Sequence, residues 1–321
     1  MDSTAKLIAR KMFKLRVHEA KGLAFQHLFE RIMQYSFSDF TPIRPYGNEG
    51  DRKNDGYIPS EGRFFQVYAP ENPSAGGTAV AAAQKASRDF ALLKAYWDDV
   101  TPVRMYQFVF NDEYRGSPPP LEMALANIRN TYIVAASAFL AKDLEALALS
   151  LAEDELVDVI GTPIPEPGVL RTVDFTVLRE VIVHVLKEPT LYSPSVLLRA
   201  PDFDDKIRFN GLSVRLASLL TVGSYQSEAV TDYFSKNSTF ARQELRDRLN
   251  SMYTTTREEV AALGYSDTEI GDFVFFKLLD LMTATYPAAT DQKKLAQDAA
   301  IVIIAYYFEA CDIFEEPSAV T

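Results

Sequence analysis

The feature that most constrains this chain is a change of hydrophobic period at the triple proline Pro118-Pro119-Pro120. Ahead of it, helically spaced apolar residues alternate with short runs of β-formers. Behind it, apolar positions recur mainly at helical spacing. The two regimes predict an α/β domain over residues 1–117 joined to an all-α domain over residues 121–321. With 321 residues, 47% of them hydrophobic, the chain can fill more than one core.

In the first regime, Lys6 to Phe37 carries Leu15, Val17, Leu23, Leu28, Phe29, Ile32 and Met33 at helical spacing, with Gly22 as the break between two helices. Residues 41–50 suit a short strand running into a turn. Tyr57–Ile58, the turn Pro59-Ser60-Glu61-Gly62 and Arg63–Tyr68 predict a hairpin, because Phe64, Phe65, Val67 and Tyr68 favour a pleated surface. A helix from Thr78 through Trp97 and a strand within Val103–Asn111, apolar enough to be covered on both faces, complete a small mixed sheet flanked by helices. Beyond Leu121, helices are expected over 121–154, 173–187, 204–222, 228–254, 266–285 and 291–314, the stretch 121–149 being helical throughout, with linkers at 161–168 and 188–201.

The net charge of −11 argues against a protein that coats nucleic acid by charge alone. The charge is uneven, however. Residues 1–70 carry 11 Lys and Arg against 8 Asp and Glu, whereas the remainder carries 22 against 36. Contact with DNA is therefore expected from the N-terminal domain, and a protein partner or a second copy of the chain from the acidic helical domain. The lone Cys311, beside Phe308 and Phe314, can form neither an intrachain disulfide nor a thiolate cluster, and is expected to be a small buried hydrophobe in a reducing compartment. The longest apolar run, Ala299–Phe308, is about half the ~20 residues needed to span a bilayer and reads as a buried helix. A cytoplasmic location without membrane contact is expected. No Walker loop, dinucleotide fingerprint, zinc pattern or Ser-His-Asp signal is present.

The stretch Gly47-Asn48-Glu49-Gly50-Asp51-Arg52-Lys53-Asn54-Asp55-Gly56, followed ten residues later by Phe65-Gln66-Val67-Tyr68, carries the chemistry. Mg²⁺ wants carboxylate and carbonyl oxygens plus water, and phosphodiester hydrolysis wants that cation beside a group that positions water. An acid at a strand end and an acceptor on the neighbouring strand of a hairpin bring such oxygens together. The competing reading is an Asx-rich turn, with Asp51 and Asp55 capping backbone amides and Lys53 solvated. Gln66, between two apolar neighbours, needs a hydrogen-bond partner if buried. Glu30 divides evenly between ligand and surface ion pair, and Tyr68 between packing and a phosphate contact.

This arrangement resembles the PD-(D/E)xK nucleases, in particular the Mrr-like restriction endonuclease branch. Phe25-Gln26 with Leu28, Phe29, Ile32 and Met33 matches that family's opening helix, Asp55-Gly56 its metal-binding turn, and Gln66-Val67-Tyr68 its Gln-x-Lys strand. The chain departs from the pattern at Gln26, where the family often has Glu, and at Tyr68, where it has lysine; Glu30 and Lys53 are the replacements at hand. The phrases GDRKNDGY and FFQVYAPE, the strand ending VFND and the acidic YYFEACDIFEEP are similar to proteins of prokaryotic anti-phage conflict systems, including the ABC-three-component type. The resemblance implies a restriction-endonuclease-like fold in which Asp55, Gln66 and Asp51 hold Mg²⁺ or Mn²⁺, Glu30 assists, and Lys53 orients water or stabilises phosphate charge. It implies a DNA endonuclease-like effector of anti-phage defence or, given Gln26 and Tyr68, a catalytically inactive nuclease-fold module that binds a protein partner.

Overall fold

The computed structural model describes residues 3–47, 50–165, 172–188, 203–236, 239–288, 290–310 and 312–315. Contacts divide the chain into two compact units, one of Arg16–Val159 and one of Met1–Leu15 with Ile160–Thr321. The first helix, α1 (Ser3–Glu19), begins in the second of these and ends in the first. The division thus falls at Val159, some forty residues beyond the triple proline.

The Arg16–Val159 unit is built on a five-stranded sheet in the order β1-β2-β3-β4-β5. After α2 (Gly22–Ser36), the strands β1 (Thr41–Pro42), β2 (Gly56–Ile58) and β3 (Arg63–Tyr68) form an antiparallel meander. Helix α3 (Thr78–Trp97) then carries the chain to β4 (Met105–Phe110), parallel to β3, and α4 (Pro119–Tyr132) carries it to β5 (Ala135–Phe139), parallel to β4. Helices α5 (Ala141–Ala148) and α6 (Glu153–Ile160) follow.

The expected helix over 121–149 is therefore interrupted by a strand. Ile133 closes α4 in a left-handed conformation (φ 53°), and Ala135–Phe139 then pairs with β4 in register Met105↔Ala135 through Val109↔Phe139. Three alanines and a serine hide this strand from propensity, because alanine is the best helix former; the ladder offered by β4 overrides it.

Alternation along β3 sorts its side chains between two faces. Phe64 faces α3 and α4 in a core with Phe90, Tyr106, Phe108, Phe110 and Leu125. Phe65 faces the other way, its ring 5.4 Å from Phe29 of α2, 6.0 Å from Phe40 and 6.4 Å from Phe139. Each such buried ring contributes roughly 1.5–3 kcal/mol. Gln66 and Tyr68 share the Phe64 face, so a polar residue enters the α3 side of the sheet.

The helical unit is arranged around α13 (Asp291–Glu309), whose residues from Ala296 through Phe308 are all buried. A helix apolar all round must be central, which accords with the buried helix expected at Ala299–Phe308. Thr290 caps it, its hydroxyl accepting from Lys293 N at 3.1 Å. Helices α7 (Phe175–Val185) and α9 (Val214–Ser224) pack on it. Among the described residues the unit also holds α8 (Phe203–Phe209), α10 (Glu228–Lys236), α11 (Thr239–Ala262) and α12 (Asp267–Met282). The expected helix 204–222 is thus divided, left-handed Gly211 following α8. Cys311 and most of the expected linkers lie outside the described residues. Among those described, no helix is long and apolar enough to cross a membrane.

Candidate functional site

Asp55 enters the sheet one residue before β2. Its amide donates to Phe65 O at 3.0 Å, and its Oδ2 accepts from Val67 N at 2.7 Å, so β3 alone fixes both its backbone and its carboxylate. Gly56 follows because a Cβ there would lie 2.4 Å from the ring of Phe40. The residue is only 9% exposed. Burial pushes its pKa up to about 6; the Val67 amide and the charge of Lys85 pull it down, and the charges of Asp51 and Glu30 push it further up. Among the described residues no cation stands within ion-pairing distance of it. A buried carboxylate left without a partner cation is a mark of a functional centre.

Gln66, 2% exposed, lies on the neighbouring strand. Its Nε2 donates to Asp89 Oδ2 at 2.9 Å, and its Oε1 accepts from the Tyr106 hydroxyl at 2.6 Å. Tyr106 remains protonated, since burial, with the charges of Asp89 and Asp55, holds its pKa well above the usual phenol value. Asp89 of α3 is fully buried and accepts from Lys85 Nζ at 2.7 Å and from Arg88 Nε at 2.9 Å. Burial would raise its pKa, but these two cations hold it below the usual carboxylate range. The chain Tyr106–Gln66–Asp89–Lys85 is thus a satisfied buried polar network beside the Asp55 carboxylate.

The other expected residues fall into two groups. Asp51 Oδ1 accepts from Lys53 N at 2.8 Å, and Asn54 N donates to Asp51 O at 3.2 Å, so the acid caps its own turn. Lys53 makes no ion pair with Asp55. Glu30, 4% exposed, is held at 2.6 Å by both terminal nitrogens of Arg44 and at 2.9 Å by Gln26 Nε2. Tyr68 stacks on Phe110, with centroids 6.1 Å apart, as a packing residue would.

Asp51 and Glu30 thus bear on Asp55 by charge, Gln66 lies on the strand that holds Asp55, and Lys53 meets the group only through its amide on Asp51. Lys85, Asp89 and Tyr106 were not legible as site residues. Lys85 and Asp89 sit one turn apart on α3, like any surface ion pair, and Tyr106 lies in an apolar strand; pairing of β3 with β4 brings Tyr106 to Gln66, and α3 on that face of the sheet brings Asp89 with Lys85.

Mg²⁺ is held through one or two carboxylates and keeps several waters. Asp55 offers a carboxylate without a cation, and the Gln66 amide oxygen has a second lone pair beyond the one given to Tyr106. Glu30 is already neutralised by Arg44. Among the described residues no group of three or more His, Cys, Asp or Glu is gathered as a metal site. The donor set fits a hydrated cation on Asp55 and Gln66, not a closed protein cage.

Residues 176–315 match CTD10, the C-terminal domain 10 of the ABC-three component (ABC-3C) systems. The helical region is thus similar to a domain of a multi-component system, in keeping with the resemblance read from the acidic phrase that starts at Tyr306. No curated protein and no solved structure matches the chain.

Proposed function

We propose that the Arg16–Val159 unit is a PD-(D/E)xK-like, metal-dependent DNA nuclease module of an anti-phage ABC-three component system, with the CTD10-like region recruiting it to its partners. The observation that carries this reading is the Asp55 carboxylate: buried, without a partner cation, and set beside Gln66 at the junction of β2 and β3. The order of antiparallel meander, helix and parallel strand also favours it.

Asp55 and the Gln66 oxygen would hold Mg²⁺ or Mn²⁺, and Asp51 would add negative charge. The cation would supply Lewis-acid polarisation of a phosphodiester and ease deprotonation of water. Tyr106 and Asp89 keep the Gln66 amide in one orientation, because each end of that amide is committed to a different partner. Lys85 would take the role expected of Lys53: its charge bears on Asp55, and it would offset negative charge developing on a phosphate.

Purified chain should cut plasmid and linear DNA with Mn²⁺ or Mg²⁺, and cutting should vanish in EDTA and in Asp55→Ala. Equal cutting by Asp55→Ala would overturn the assignment. A second reading, a silent nuclease-fold module that binds a protein, is favoured by Tyr68 in place of lysine and by the neutralisation of Glu30. No cutting under either metal, with a partner co-purifying, would select it.

A further inference from the structure

Helices α3 and α4 pack together on the Phe64 face of the sheet, and an open groove of about 780 Å³ is lined by both. Its walls are rows of residues four apart: Ala83 with Ser87 and Gln84 with Arg88 on α3, and Pro120 with Ala124 on α4. Residues at that spacing lie one above another on a helix, so each row is a ridge along the groove. Small side chains at Ala83, Ser87 and Ala124 leave it open. Its wall on α4 runs from Pro120 to Asn127, which at ~1.5 Å per residue is about two turns.

The groove leaves apolar surface in water. Met123, which lines it, is 68% exposed, and Val80, one turn before Gln84 in the same row of α3, is half exposed. Among the described residues Arg88 is the only charged side chain that lines it. An apolar groove with a single positive charge suits a protein surface, whereas a nucleic-acid backbone is met by several cations at once.

Arg88 is held ready for an acid. Its Nε donates to Oδ1 of the fully buried Asp89 at 2.9 Å, which fixes the guanidinium plane, while its side chain stays 70% exposed. Lys85 shares that carboxylate at 2.7 Å, so one acid faces two cations and does not cancel both. The two terminal nitrogens of Arg88 donate to no group among the described residues. That pair of donors matches the two oxygens of a carboxylate.

We propose that this groove docks an amphipathic helix of a partner protein, with apolar residues at i, i+3, i+4 and i+7 laid over Ala83, Ala124 and Met123 and an acidic residue at the helix edge paired with Arg88. The occupant is helical because ridges of residues four apart receive the ridges of another helix. It is acidic at one edge because Arg88 is the charge it meets there. Docking of this kind is independent of whether the unit cuts DNA. A protein occupant accords with the match of residues 176–315 to a domain of multi-component systems.

The probe is a fluorescent peptide of about 18 residues, long enough to form a helix, with leucine along one face and glutamate beside it. Its binding to the full chain is read by anisotropy. Arg88→Gln should raise the dissociation constant on the order of tenfold, and Met123→Ser by about threefold. Met123→Ser lies on the surface and leaves Asp89 all its donors, so it tests the groove even if loss of Arg88 unsettles α3. Lysine in place of the peptide's glutamates should abolish binding. Equal affinity of wild type and both variants, equal binding of the lysine peptide, or no binding by wild type overturns the docking site. Two other occupants would overturn it as well: duplex DNA that Arg88→Gln releases while peptide binding is unchanged, or a dimer in sedimentation that Met123→Ser dissolves while the peptide does not bind.

Discussion

The side-chain amide of Gln66 stands between a permanent donor and a permanent acceptor: the Tyr106 hydroxyl at 2.6 Å on one side and the Asp89 carboxylate at 2.9 Å on the other. Its neutrality is what permits this arrangement. Gln66→Glu would replace the N–H given to Asp89 by a second buried carboxylate facing the first. It should cost about 2–4 kcal/mol at neutral pH, and the loss should shrink as pH falls. Denaturant unfolding of both proteins at pH 7 and pH 5 measures it; equal stability at both values would mean that Asp89 is not the partner of Gln66.

Asp55 makes the opposite kind of prediction. Its carboxyl holds its proton more tightly when folded, with a pKa near 6, than when unfolded, so stability should fall as pH rises from the ordinary carboxylate range through about 6. Asp55→Asn keeps an oxygen for the Val67 amide and removes the charge. It should stabilise the unit at pH 7 by ~1–3 kcal/mol and be neutral near pH 4. Melts of wild type and variant across that range check the sign.

Lys85 should influence Asp55 from α3. Lys85→Met removes a charge that favours the Asp55 anion and a donor to Asp89, so the carboxyl should titrate at a higher pH than in wild type. Carboxyl-carbon NMR reads this directly. If the nuclease reading holds, metal-dependent cutting should fall on the order of a hundredfold, whereas Lys53→Met should retain most of the turnover at saturating DNA.

Much of the fold was legible. The Gly22 break, the hairpin ending at Tyr68 and the helix from Thr78 to Trp97 carry strong local signals of period, turn residues and β-branched or aromatic content. Strand β5 was not legible, because Ala135, Ala136 and Ala138 favour a helix and only the open edge of β4 makes them a strand. The candidate site divides along the same line. Asp55, Gln66 and Glu30 lie on elements whose hydrophobic pattern fixes their faces. Lys85, Asp89 and Tyr106 join them only through pairings 40 or fewer residues distant in sequence that no local period encodes.

Gly271 tests the helical unit independently. A Cβ there would lie 2.2 Å from Asn210 O, a backbone atom that cannot swing aside. Gly271→Ala should destabilise this unit by ~1–3 kcal/mol despite the better helix propensity of alanine. Differential scanning calorimetry should show the loss; a melt at or above the wild-type temperature would contradict the close approach of α12 to the end of α8.

The nuclease function proposed for the Arg16–Val159 unit requires Asp55 to hold a divalent cation. Isothermal titration of Mn²⁺ into the full chain above pH 7, where the carboxyl is ionised, should show a bound cation in wild type and none in Asp55→Asn. Equal binding by both proteins, or none by either, would contradict a cation site at Asp55.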